Sequence, residues 1–264
     1  MIEILILAII QGVTEWLPIS SSGHLVLAQK YMGLSLPVFF DVALHTGSLF
    51  VVLIVFRSEI FKILRAVVRF DFKSDEGKLA LYVILGSIAT AVFGFLFRDL
   101  FESFFNNLWA VGAAFIATGT FYSFLVIFDS RRSQNKQLNH LDAVLIGVAQ
   151  GIALIPGVSR SGVTITTGLL RKVDKQSAFA FSFLLFIPAV LGATILTAAE
   201  AQNLATVNVD IAAVFFGLAI TVIVGYFSLR LLRNIVLKGR FHLFAFYCWA
   251  IGFIVLLTQV LGTF

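Results

Sequence analysis

The chain has 264 residues, of which 59% are hydrophobic and only 12% charged, with 29 phenylalanines and a formal net charge of +5. So apolar a chain excludes a water-soluble protein and reads as one integral membrane domain over 1–264. The basic excess does not imply nucleic acid, since no RNA- or DNA-binding motif accompanies it, and the single cysteine, Cys248, excludes an internal disulfide.

No basic region precedes the first apolar run, so no cleavable signal peptide is expected. That run, 2–14, is followed by a second, 23–34, and the break between them holds Pro18, Gly23 and serines. Three apolar stretches then reach the ~20 residues that cross a bilayer: 38–56, 79–97 and 108–128. The pattern repeats from residue 139. A broken pair, 143–155 with 162–170, precedes 178–199, 211–229 and 243–262. At roughly 1.5 Å per residue each broken piece reaches about halfway across, which predicts two re-entrant helix–loop–helix pairs. Such backbone survives at membrane depth only when buried in protein or facing a wet cavity.

The fold class predicted is therefore all-α: six transmembrane helices plus two re-entrant pairs, in two repeats, 1–128 and 139–264. A re-entrant pair returns to its own side and three spans cross over, so the second repeat starts on the opposite face. The repeats are expected to be inverted, with their polar breaks meeting at mid-depth. The basic residues agree. Loops 57–78, 129–142, 171–177 and 230–242 fall on one side and hold Arg57, Lys62, Arg65, Arg69, Lys73, Lys78, Arg131, Arg132, Lys136, Arg171, Lys172, Lys175, Arg230, Arg233, Lys238 and Arg240. The other side has Lys30 and Arg98, and the loop 200–210 carries only the acids Glu200 and Asp210. The rich side is expected in the cytoplasm and both termini outside.

The two breaks are copies. Aligned without a gap, Glu3 falls on Asp142, Gln11-Gly12 on Gln150-Gly151, Ser20 on Ser159, and Ser22-Gly23 on Ser161-Gly162. One copy adds Glu15 and His24, the other Arg160. A cation at membrane depth needs an anion. Arg160 either pairs with Glu15 or Glu3 to lock the repeats, or clamps an anionic substrate. The second reading is helped by Ser159, Ser161, Thr164 and the glycines around it at a helix start, where negative charge is favoured, and by the forked geometry of guanidinium. Glu15 is either a cap for loose backbone or a metal ligand or general base, with Gln11 one turn earlier offering a neutral oxygen. His24 can act as acid or base beside a nucleophilic hydroxyl. Asp41 and His45, one turn apart, line the same cavity or mark its mouth. Glu3 and Asp142 read as interface caps, and Trp16, Trp109 and Trp249 as packing or belt residues.

At these motifs the chain resembles the undecaprenyl-diphosphate phosphatases, the bacitracin-resistance family of membrane enzymes, over essentially its full length. One motif runs from Gln11 to Glu15 into Pro18-Ile19-Ser20-Ser21-Ser22-Gly23-His24; the other is Pro156-Gly157-Val158-Ser159-Arg160-Ser161-Gly162-Val163-Thr164. The resemblance implies hydrolysis of a polyprenyl diphosphate to the monophosphate and inorganic phosphate, recycling the lipid carrier of cell-wall synthesis at the plasma membrane, with the site open outward. It implies Glu15, Ser21 and His24 as catalytic residues, with Ser21 the nucleophile or a water in its place. Ser20, Ser159, Arg160, Ser161 and Thr164 would hold the diphosphate, and Glu15 with Gln11 a divalent cation, magnesium or calcium. Gln11 stands where the family often has Glu. Expected partners are the lipid substrate and membrane lipids, and the reading admits a homodimer. The rivals are an inverted-repeat transporter or flippase for a phosphorylated lipid and an intramembrane serine protease, which the cation Arg160 suits less well.

Overall fold

The computed structural model describes residues 2–34, 38–129, 136–200 and 211–262, less some side chains at the edges of these ranges. Arg131, Arg132, the 201–210 loop and the side chains of Asp41 and Glu200 lie outside the described residues. In chain order a short pair, α1 (Ile2–Thr14) and α2 (Ser21–Tyr31), leads into α3 (Val38–Val55), α4 (Arg57–Val68), α5 (Asp75–Leu96), α6 (Arg98–Phe105) and α7 (Leu108–Asp129). A second short pair, α8 (His140–Ile152) and α9 (Arg160–Leu170), leads into α10 (Lys175–Glu200), α11 (Ile211–Leu237) and α12 (Phe244–Val260). Among the described residues five helices, α5, α7, α10, α11 and α12, are long and apolar enough to cross a membrane. The chain is a polytopic helical membrane protein. The stretch expected as a further span, 38–56, is the 18-residue α3.

Two expected loops are corrected. Most of 57–78 is helix, because α4 carries apolar residues at helical spacing that pack inward. Likewise α11 continues to Leu237, so Arg230 and Arg233 lie on a helix; Leu232 and Val236 extend its buried stripe past 229.

Local chemistry starts each short helix. Ser20 Oγ accepts from Gly23 N–H at 3.3 Å and Ser159 Oγ from Gly162 N–H at 3.2 Å, the same cap in both copies. Asn139 and Asp142 form a reciprocal capping box on α8. The buried Asp142 carboxylate also accepts from Lys136 Nζ at 2.6 Å and Arg171 Nε at 2.8 Å, so it serves as the cap its position suggested.

The halves pair reciprocally: α1 lies on α11 and α8 on α5, while α3 packs on α10 and α7 on α12. Matching threonines seal the first two crossings. Thr221 Oγ1 donates to Ala8 O at 3.2 Å and Thr90 Oγ1 to Gly147 O at 2.9 Å. Small residues bring these backbones close. A Cβ on Gly147 would sit 2.3 Å from the carbonyl oxygen of Gly86, which is backbone and cannot swing aside. Gly147→Val is expected to destabilise by about 1–3 kcal/mol or more, seen as a lower thermal midpoint in detergent. Gly192→Ala, facing open space, should leave it unmoved. An unshifted midpoint in Gly147→Val would contradict this crossing.

Candidate active site

The breaks of the two hairpins meet inside an aromatic core that includes Trp16, Phe56, Tyr122, Phe179, Phe183 and Phe241. Their irregular backbone is served by protein groups, as burial requires. Gly157 N–H donates to Ser20 Oγ at 3.0 Å, Ser161 Oγ to Trp16 O at 3.1 Å and Thr118 Oγ1 to Gly157 O at 3.1 Å. Cys248 Sγ lies 3.6 Å from Pro18 O. Gly157 has φ +99°, and a Cβ there would fall 2.6 Å from Val111 O, so only glycine fits. Ser20 holds φ +67°, a strained value for a residue with a side chain, under this same clasp.

Glu15 is the hub. Its Oε1 accepts from Arg160 Nη2 at 2.6 Å, across the two copies. Its Oε2 accepts from Ser21 Oγ at 2.5 Å and Gln11 Nε2 at 3.0 Å, with His45 Nε2 at 3.3 Å. The carboxylate is 5% exposed and the Arg160 side chain 14%. The pairing weighed for Arg160 is therefore present, with Glu15 as its partner, and it leaves something over. Arg160 Nη1 is buried with no hydrogen-bond partner. Phe186 stacks under the guanidinium, 3.8 Å from carbon to ring centroid, and Phe183 flanks it at 5.7 Å. A buried donor without a partner beside a fully engaged carboxylate suits an anionic ligand.

The hydroxyls named from sequence sit around this pair but are already engaged. Ser20 and Ser159 cap their helices. Ser161 holds Trp16 O, and Thr164 Oγ1 donates to Arg160 O at 2.7 Å while lying 2.5 Å from Ser182 Oγ. As placed, all four shape the loops that present Arg160 and Ser21. The N-termini of α2 and α9 are joined through Ser20 and Gly157, so two helix dipoles favour negative charge at one place.

The histidines divide differently from the sequence expectation. His24 was to assist Ser21, but its Nδ1 lies 2.7 Å from Ser20 O and its Nε2 2.8 Å from Tyr247 Oη, with the rings stacked. Both nitrogens are used away from Ser21, because α2 turns His24 toward α12. His45 reaches Glu15 instead. Sequence reasoning placed it near a cavity without a role; the signal it left was a polar stripe of His45 and Ser48 on an apolar helix, and Ser48 Oγ accepts from Gln11 Nε2 at 3.3 Å. Phe183, Phe186, Ser182 and Tyr247 carried no mark in the sequence, being ordinary residues of apolar helices. Gln150, the copy of Gln11, does structural work: its Nε2 donates to Leu185 O at 3.2 Å, just before Pro188 inside the continuous helix α10.

The donor set can be tested against a divalent cation. Gln11 Oε1 is a buried oxygen with no partner, the kind of ligand a hard cation takes, on the same amide whose Nε2 donates to the Glu15 carboxylate. Among the described residues no three His, Cys, Asp or Glu side chains converge. A cation here would complete its shell with phosphate oxygens and water, as magnesium commonly does.

Residues 4–254 match the family described as bacitracin resistance protein BacA. The chain is 39% identical over 265 residues to an undecaprenyl-diphosphatase of Carboxydothermus hydrogenoformans, covering 99% of this chain and 98% of that one. It is 41% identical to one of Desulfosudis oleivorans, covering 95% and 96%, and 36% identical to one of Methanobrevibacter smithii, covering 100% and 99%. With the match spanning nearly the whole chain, this protein belongs to the BacA bacitracin-resistance family.

Proposed function

We propose that this protein is a membrane phosphatase that hydrolyses a polyprenyl diphosphate, undecaprenyl diphosphate in the first instance, to the monophosphate and inorganic phosphate. The observation that carries the reading is the linked row Ser21–Glu15–Arg160, assembled across the two hairpins. Ser21 Oγ–H already donates to Glu15, so the carboxylate can take its proton as Oγ attacks the terminal phosphorus. The anhydride bond to the bridging oxygen breaks and the polyprenyl monophosphate leaves. Water then cleaves the phosphoserine, releasing phosphate and returning the proton to Ser21. Arg160 Nη1 and the joined helix N-termini bind the phosphate oxygens and stabilise charge on them as the bond breaks. Glu15 and Gln11 Oε1 would hold a magnesium or calcium ion, which when bound neutralises phosphate charge. His45 steadies Glu15, and the capping serines and Thr164 keep the loops in register. A carrier or flippase needs anion binding but has no use for a serine hydroxyl donated to a buried carboxylate.

The test is phosphate release from undecaprenyl diphosphate by detergent-solubilised protein, with no membrane gradient, with and without chelator. Ser21→Ala should lose at least about a thousandfold in turnover yet still bind substrate. Substantial turnover by Ser21→Ala would replace the phosphoserine route with attack by water, with Glu15 as base.

The finer architecture belongs to the same proposal. The hairpins α1–α2 and α8–α9 are re-entrant, and the chain is one domain of two inverted repeats, 1–128 and 139–264. Reciprocal packing of each first helix on the other repeat supports this. The basic loops put both termini outside the plasma membrane. Single cysteines replacing Lys73 or Lys238 should resist an impermeant thiol reagent in intact cells; labelling there would reverse the orientation.

A further inference from the structure

The helix α4 is unlike the spans around it. It follows the apolar helix α3 directly at Phe56. Its 12 residues divide into three faces. Ile60, Ile63 and the buried Ala66 turn inward, the two isoleucines against the main core. Phe61, Leu64 and Val68 form an outward stripe, exposed by 67%, 57% and 77%. Beside it run Lys62, Arg65 and Arg69, all exposed, and among the described residues none of the three is paired with a carboxylate.

The end of α4 adds an independent observation. Asp71 N–H donates to Ala66 O and Phe70 N–H to Val67 O, the helix-ending motif that places one residue in the left-handed region. Glycine is usual there. Here it is Phe70, at φ +53°, with its ring 82% exposed. A strained backbone thus exposes an aromatic ring at the helix end, between Arg69 and Lys73 in the chain.

We propose that α4 is a lipid-surface helix, with Phe61, Leu64, Val68 and Phe70 in the acyl boundary and Lys62, Arg65 and Arg69 bound to the headgroup phosphates of anionic phospholipid. An apolar stripe flanked by unpaired cations is the pattern of an amphipathic helix lying in a bilayer interface. Opposite charge selects the partner: zwitterionic headgroups leave the three cations uncompensated, whereas anionic ones attract each of them. The surface lies on the chain's own α3–α5 connection and uses no residue of the phosphatase site.

The test uses the full-length protein in vesicles of phosphatidylcholine with phosphatidylglycerol. Cys248 is the only native cysteine and is buried, so a bimane label on Leu64→Cys is selective. Nitroxide-labelled phosphatidylglycerol should quench this label more strongly than nitroxide-labelled phosphatidylcholine, by about fivefold in apparent association for each cation engaged. In Lys62→Gln/Arg65→Gln/Arg69→Gln that preference should vanish while quenching by phosphatidylcholine persists, and retained phosphate release shows the variant is folded. Raising salt should weaken the preference in the parent protein. Equal quenching by the two lipids in the parent overturns the proposal. So does quenching by neither, which would mean that protein, such as a second copy, covers the stripe.

Discussion

Glu15→Gln is expected to lower phosphate release by about 10³-fold or more, the range of a lost general base, and added magnesium or calcium should not restore it. The substitution keeps size and shape but removes the proton acceptor for Ser21 and the anion facing Arg160. Gln11→Glu should be tolerated, since a second carboxylate there adds an oxygen ligand of the kind a hard cation prefers. His45 offers a finer reading of the same carboxylate. His45→Ala should reduce kcat with little change in KM, and His45→Gln, which keeps a nitrogen donor toward Glu15, should recover much of it. Near-normal turnover in Glu15→Gln would remove the carboxylate from the chemistry altogether.

Arg160→Lys is expected to cost about 10²–10³-fold in kcat, as for loss of a donor aimed at transition-state charge. One ammonium cannot both hold Glu15 Oε1 and present a second donor in the fixed fork geometry of guanidinium. It also gives up the flat stack on Phe186. Arg160→Gln adds a stability effect, because it leaves Glu15 buried and unpaired, typically a loss of about 3–5 kcal/mol. The double variant Glu15→Gln/Arg160→Gln separates the two effects. It should regain much of the stability, measured as the thermal midpoint in detergent, and remain inactive. A double variant with substantial phosphate release would mean that the pair is only a structural lock.

Gln150 and Gln11 show how far duplication in sequence can mislead about function. They are copies, yet Gln11 joins the carboxylate hub and Gln150 tends backbone near Pro188. The reason lies in their neighbours: the second copy has Leu154 where the first has Glu15. Asymmetry at a few positions, Glu15 against Leu154 and Ser21 against Arg160, therefore leaves a single site built from both copies.

What the sequence determined by itself is what local forces govern. Runs of apolar residues and the breaks between them depend on neighbours within one or two turns, so their helices could be read directly; the caps Ser20, Ser159 and Asn139 came from the structure, the two serines having been read as diphosphate ligands. The need for a buried anion was legible too, since a cation at Arg160 demands one, but Glu15, Glu3 and an anionic substrate all stayed open until the structure paired Arg160 with Glu15. Helix α4 was missed because its basic residues dominate a short segment whose apolar stripe is narrow. The tertiary structure alone decided which groups meet. His45 on α3 reaches Glu15 while His24, inside the motif, is drawn to Tyr247, more than two hundred residues away in the chain. Phe186 lies beneath Arg160 because α10 packs on α9. Ser20, Ser159 and Ser161 turned out to be engaged with backbone, because buried irregular chain must satisfy its own N–H and C=O groups before it can offer any to a substrate.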